Sequence, residues 1–391
     1  MSPAGKQDTM NEPRPLYCGR PDTAGLSDSL RDWRSAGMPG GALVLLPEAE
    51  KDRLPSIQAV LAAEGIAHVG AIFPALVKDD GFLREGALLL PFDRLPATAL
   101  IPSLPADAAA AARRIADAVE PHIAGNGTTQ STLFMIFDAM VPTIGSILDA
   151  LYLRLADRVA YAGVNAGSET FQPMPCLFDS RESVSGGVLC LLLPDGRGAV
   201  LDHGYDAPQD IVTATATEGN RVIGIDWRPA FEVYREQVRG LYDVDLNREN
   251  FYEYATHFPF GILLANNDVV VRIPVALEDD GSLFCVGEVP ANSMLTLLNA
   301  PRIDSVRSVN RLAALLREGF GGVGERHLLT FYCAGRHLHL GADSRRELGR
   351  LREETRAPAL VGALSLGEIG SLTPWGYPLF HNATLVCRPW N

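Results

Sequence analysis

VGALSLGEIGS, Val361–Ser371, is an apolar run that breaks into small residues around one acid, Glu368. Two earlier stretches share its form: HVGAIFPAL at His68–Leu76 and YAGVNAGSE at Tyr161–Glu169. A phrase written three times predicts a repeated structural unit. The first copy runs from GALVLLPEAE through a helical stretch with apolar residues at Leu54, Ile57 and Leu61. It continues through the phrase and a KDDG turn at Lys78–Gly81 to a second apolar run, GALLLPF. The second copy reads TLFMIFDAM, a helix carrying Ile144, Ile147, Leu148, Leu151 and Leu155, then YAGVNAGSE and GGVLCLLLP. The third reads HLLTFYCAGR, a polar helix from about Asp343 to Thr355, PALVGALSLGEIG and HNATLVCRP. Each unit is therefore strand, helix, strand, irregular loop, strand.

A strand–helix–strand crossover predicts adjacent parallel strands, and near-continuous apolar runs predict that both faces are buried. The strand after the loop is expected to return antiparallel. Between the second and third copies the pattern changes to hairpins. DIVTATATEGNRVIGID turns at Glu218–Asn220 and leads into a helix in PAFEVYREQVRG. GILLANNDVVVRIPVAL turns at Asn266–Asp268, FCVGEVPANSMLTLL supplies two more strands, and a helix is expected across Val306–Arg317. The expected class is α/β: duplicated, layered mixed-sheet modules with flanking helices, pseudo-repeated strand-helix-strand-strand units, and a partial extra unit in front. The expected division is a disordered leader at 1–15, an N-terminal domain at 16–240 and a C-terminal domain at 241–391.

At 391 residues, 47% of them hydrophobic, the chain can build more than one core. Its net charge of −13 opposes a nucleic-acid partner, which needs a basic face. No apolar run reaches the ~20 residues of a membrane helix, and the N-terminus lacks the apolar core of a secretory signal. A cytoplasmic protein without membrane insertion is expected. The six cysteines form no CxxC pair and no metal-type spacing, which fits reduced, buried thiols.

Glycines at the carboxyl ends of parallel strands face the crevice where ligands usually bind. That places Gly163 and Gly367 along such a crevice, with Asn165 and Glu368 as polar groups aimed into it. Arg336, in CAGR, is read at the end of the third unit's first strand. There it would either clamp a carboxylate or phosphate or pair with Glu368. His381 and Asn382 open the last strand, and His203 sits in the exposed-looking loop LDHGYDAP. Cys333 with His381 or His337 invites a hydrolase reading. No nucleophile elbow, oxyanion loop or orienting third residue accompanies it. HLH at His337–His339 is read as strand or turn and makes no metal site by itself.

Laid out in order, YAGVNAGSE, HGYDAP, VTATATEGNRVIGIDWRPAFEVY, EDDGSLFCVGEVPANS, FYCAGR and LSLGEIG…HNATLVC resemble the FIST family, with tandem FIST N-terminal and C-terminal sensory domains over about residues 40–391. The resemblance implies an intracellular, non-catalytic sensory protein that binds a small, amino-acid-like ligand and signals in trans to a partner such as a histidine kinase. Some members that the chain resembles are haem-binding nitric-oxide sensors; on that alternative haem is the cofactor and His203 the first candidate for its ligand. The SLTPWGYPLF insert between GEIG and HN departs from the family's pattern and bears on ligand identity.

Overall fold

The computed structural model describes residues 13–123, 131–206, 210–298, 307–371 and 376–390. The expected leader, 1–15, lies outside the described residues up to residue 12. The first unit opens with β1 (Leu16–Cys18), α1 (Thr23–Ser29) and α2 (Arg31–Ala36). It continues through β2 (Gly41–Pro47), α3 (Leu54–Ala63), β3 (Ala67–Phe73), a hairpin of β4 (Leu76–Lys78) and β5 (Gly81–Leu83), and β6 (Ala87–Phe92). Every residue of β2 is buried, so its run is apolar without alternation. The second unit repeats the order: β7 (Thr98–Ile101), α4 (Ala108–Val119), β8 (Ser131–Asp138), α5 (Ile144–Leu155), β9 (Val159–Ala166), β10 (Leu177–Asp179), β11 (Ser183–Val184) and β12 (Val188–Leu193). Leu148, Leu151 and Leu155 put one face of α5 into the core.

After β13 (Val200–Asp202) the chain enters the hairpin-rich insert: β14 (Val212–Glu218), β15 (Arg221–Ile225), β16 (Arg228–Pro229), α6 (Ala230–Tyr242), α7 (Phe251–Ala255), β17 (Phe260–Leu263), β18 (Val269–Arg272), β19 (Pro274–Leu277), β20 (Leu283–Cys285) and β21 (Met294–Leu297). The third unit closes the chain with α8 (Arg307–Phe320), β22 (His327–Cys333), α9 (Ala334–Leu340), α10 (Asp343–Thr355), β23 (Leu360–Ser365), β24 (Glu368–Gly370), β25 (Leu379–His381) and β26 (Leu385–Trp390). Two expectations are corrected here. The third unit's first strand ends at Cys333, so Arg336 lies on a helix, as does His337–His339.

Each unit pairs its two long strands in parallel and returns antiparallel on the outer side, giving β6-β2-β3, β12-β8-β9 and β26-β22-β23. The unit read as partial is complete. The expected irregular loops are hairpins, and each one crosses onto a neighbouring unit. β4 pairs with β23, β10 with β3, and β24 with β9. The register is the same each time: Leu76 faces Ala363, Leu177 faces Ala71, and Glu368 faces Val164. Three six-stranded sheets are thus locked into a ring by mutual strand exchange, around a shared core in which the ring of Phe331 lies 5.7 Å from that of Phe73 and 5.9 Å from that of Phe134.

The exchange explains part of the repeated phrase. Gly70, Gly163 and Gly362 face Val44, Met135 and Thr330, and a Cβ on any of them would collide with that neighbour's carbonyl oxygen. The insert forms its own antiparallel sheet and leans on the ring. It is tied there by Glu288, whose carboxylate accepts from the Ser146 backbone N–H (2.8 Å) and hydroxyl (2.6 Å) in the first turn of α5. Among the described residues, no helix is long and apolar enough to cross a membrane.

Candidate functional site

The three exchange strands begin on equivalent residues, and two of these are buried leucines, Leu76 and Leu177. In the third unit the same position is Glu368, fully buried. Its carboxyl is bonded by the Ser365 hydroxyl at 2.6 Å, by the Cys333 thiol and, at 3.4 Å, by the Thr384 N–H. Burial outweighs these bonds and pushes the carboxyl up to about 8. At neutral pH Glu368 is therefore mostly an uncharged acid. Opposite it across β24–β25 lies His381, also enclosed, with no side-chain hydrogen-bond partner among the described residues. Burial, then the fields of His203 and Arg272, push this imidazole down to about 3.

Asn382 pins this hairpin to the insert: its Oδ1 accepts from the Ile273 N–H at 3.2 Å, and its Nδ2 donates to the His381 carbonyl at 3.0 Å. Cys333 Sγ accepts from the Ala383 N–H at 3.1 Å. Burial and then Glu368 push the thiol up, the reverse of what an activated nucleophile needs.

Arg336 is fully buried and pairs with Glu347 of α10, not with Glu368. Nε lies 2.9 Å from Oε2 and Nη2 lies 2.5 Å from Oε1. Nη1 donates to the carbonyls of His203 (2.5 Å) and Ala383 (3.1 Å), and Nη2 reaches the Ser308 hydroxyl at 3.3 Å. Every N–H of this guanidinium is thus taken up by a protein acceptor. Asn165 points to the other face of its sheet, because Glu368 faces its neighbour Val164. Asn165 N–H donates to the Gly367 carbonyl at 2.8 Å, while its Oδ1 has no partner among the described residues. Gly367, at φ +150, leaves room for the Phe380 ring. Gly163 is fixed by the Met135 carbonyl.

A cavity of about 50 Å³ lies where α9, the insert and the Ser168–Phe171 turn meet. Ile273, Val286, Leu338 and Leu366 form much of its wall; Cys333 and Asn382 bring polar atoms to it. Glu368, His381 and Arg336 do not line it. The structure thus separates what the sequence placed in one crevice: Asn382 at the cavity, Glu368 and His381 in the buried layer, Asn165 across the sheet.

One residue that sequence reasoning missed is Arg272, an arginine inside the apolar run VVVRIPVAL. It is 5% exposed and donates to the carbonyls of Glu288 (2.8 Å), Val271 (2.9 Å) and Phe380 (2.8 Å). No described carboxylate pairs with it, and burial pushes it down to about 10. Its interruption of an otherwise apolar strand was the available signal.

The haem expectation meets a specific obstacle. His203 is half-buried, not in an exposed loop. Its Nδ1 accepts from the Tyr205 N–H at 3.0 Å, and the ring donates to the Val269 carbonyl. Neither nitrogen offers a lone pair to iron, and His203 does not line the 50 Å³ cavity. His203 in this arrangement does not fit the group. Among the described residues, no cluster of three or more His, Cys, Asp or Glu could hold a metal ion.

Two family models match the chain: the FIST N domain over residues 43–228 and the FIST C domain over residues 230–371. No curated protein matches it. FIST domains are generally sensory domains that bind small ligands, a family character that is not catalytic. With both domains matched in tandem across residues 43–371, this chain belongs to the FIST-domain family.

Proposed function

We propose that this protein is a cytoplasmic sensor. A small amino-acid-like metabolite enters the cavity between the third unit and the insert, and occupancy is relayed in trans to a signalling partner such as a histidine kinase. The observation that carries this reading is the break in the threefold pattern. Leu76 and Leu177 give way to Glu368 only in the third unit, where the carboxyl is bonded by the thiol of cavity-lining Cys333. Buried polar chemistry placed at one of three equivalent positions has no packing rationale, since leucine serves in the other two. The cavity also lies between the third unit and the insert's own sheet, where a ligand's contacts bias their relative position.

The test is a thermal-shift screen of metabolites against wild type and Val286→Phe, which fills the cavity. A ligand-induced shift that Val286→Phe abolishes supports the proposal. A shift unaffected by that substitution, or no shift from any metabolite, overturns it.

A further inference from the structure

We propose that the ligand binds with a short apolar side chain in the cavity and a zwitterionic head at its mouth, between Glu169 and Arg84; the preferred class is an aliphatic L-amino acid. This rests on the cavity being the ligand site. One water-sized sphere occupies ~10–15 Å³ by this measure, so 50 Å³ takes an aliphatic group of roughly three to five carbons. The groups behind the wall offer such a side chain no charge. Arg336 is matched by Glu347, and Glu368 is kept protonated at neutral pH. An acidic or basic side chain would lose its hydration there without gaining a counter-ion.

The mouth has the opposite character. Glu169, the last residue of YAGVNAGSE, lines it and pairs with Arg84 of the first unit at 2.9 Å. The two side chains are 23% and 64% exposed, so the pair contributes little to stability and opens at little cost. An α-ammonium against Glu169 and an α-carboxylate against Arg84 would give four alternating charges. Arginine suits the second role through its planar fork. The turn beside them is also strained: Phe171, a cavity-lining aromatic, sits at φ +54, a conformation that bulky residues rarely adopt. Tyr252 and Leu338, both substantially exposed, form apolar lips where the side chain would enter.

The experiment is calorimetric titration of the full chain with L-leucine, L-valine, L-aspartate, L-lysine, leucinamide and N-acetyl-leucine. Leucine or valine is expected to bind, with aspartate and lysine at least tenfold weaker. Arg84→Gln should weaken leucine at least fivefold while leaving leucinamide, which lacks the carboxylate, unchanged. Glu169→Gln should do the same for leucine against N-acetyl-leucine, which lacks the ammonium. Both substitutions lie outside the core, so folding is retained. Leucine binding abolished by Val286→Phe but indifferent to Arg84→Gln and Glu169→Gln would overturn the head-group assignment and leave the cavity reading standing. Binding indifferent to all three would overturn both.

Discussion

Arg336 and Glu347 form a two-pronged ion pair from which water is excluded, joining α9 to α10, with Tyr332 donating to the same carboxylate at 2.6 Å. Burial opposes both charges. Arg336 nonetheless holds the Glu347 carboxyl below its ordinary range, and Glu347 raises the guanidinium in return. The pair also connects the cavity to the outer helices, because α9 carries cavity-lining Gly335 and Leu338 on either side of Arg336.

Removing one partner should be far worse than removing both. Arg336→Ala leaves a buried carboxylate unmatched and should cost about 3–5 kcal/mol in urea unfolding. Arg336→Met with Glu347→Leu should recover most of that loss. Because the Glu347 value is depressed in the fold, the pair's contribution is complete above the ordinary glutamate range and declines as pH falls through and below it. A double variant no more stable than Arg336→Ala would show that packing, not the uncompensated charge, sets the cost.

Glu368 titrates with the opposite sign. Its folded value, about 8, lies above the ordinary 4.5. Its contribution is fully present below pH 4.5 and is lost as pH rises through about 8, at no more than ~1.4 kcal/mol per pH unit. Glu368→Gln keeps the shape without the titration. It should gain on wild type steadily between pH 5 and pH 8 and then hold a constant lead. Parallel stability curves for the two proteins would mean that Glu368 is already ionised at neutral pH.

The sequence made the units legible because parallel, doubly buried strands must be apolar throughout, and three such pairs stand out as GALVLLP, TLFMIFD and HLLTFYC with their partners. The exchange between units was hidden. LVK, LFD and EIG are too short to carry a period, and their partners are distant in sequence: Leu76 with Ala363, Leu177 with Ala71. The site suffered from the same blindness. Arg336 follows its strand closely enough to be read as its last residue, yet the chain turns helical at Ala334 and carries the side chain to Glu347. Asn165 and Glu368 both lie among the small residues of the repeated phrase and read as facing one crevice, but the exchange register puts them on opposite faces.

That register makes a sharp prediction about the repeated glycine. Gly163→Ala sets a methyl group against the Met135 carbonyl in a fully buried sheet and should cost more than ~3 kcal/mol, recovering little soluble protein. Gly219→Ala is the control: its Cβ meets open space in a hairpin turn at φ +56, and the cost should stay near 1 kcal/mol. Equal yields and equal melting temperatures for the two variants would be incompatible with the close strand approach.

The haem alternative is open to a direct spectroscopic check. Haem binding through His203 would require its ring to give up the Tyr205 N–H or the Val269 carbonyl, and space for the porphyrin would have to open beside a residue that does not line the cavity. Titration of the purified chain with ferric and ferrous haem is therefore expected to give only the broad absorption of free haem, with no nitric-oxide-dependent shift. A sharp Soret band that disappears in His203→Ala would reverse this conclusion. It would also mean that β13 and the loop following it rearrange on binding, since His203 follows that strand directly and its carbonyl is held by Arg336 at 2.5 Å.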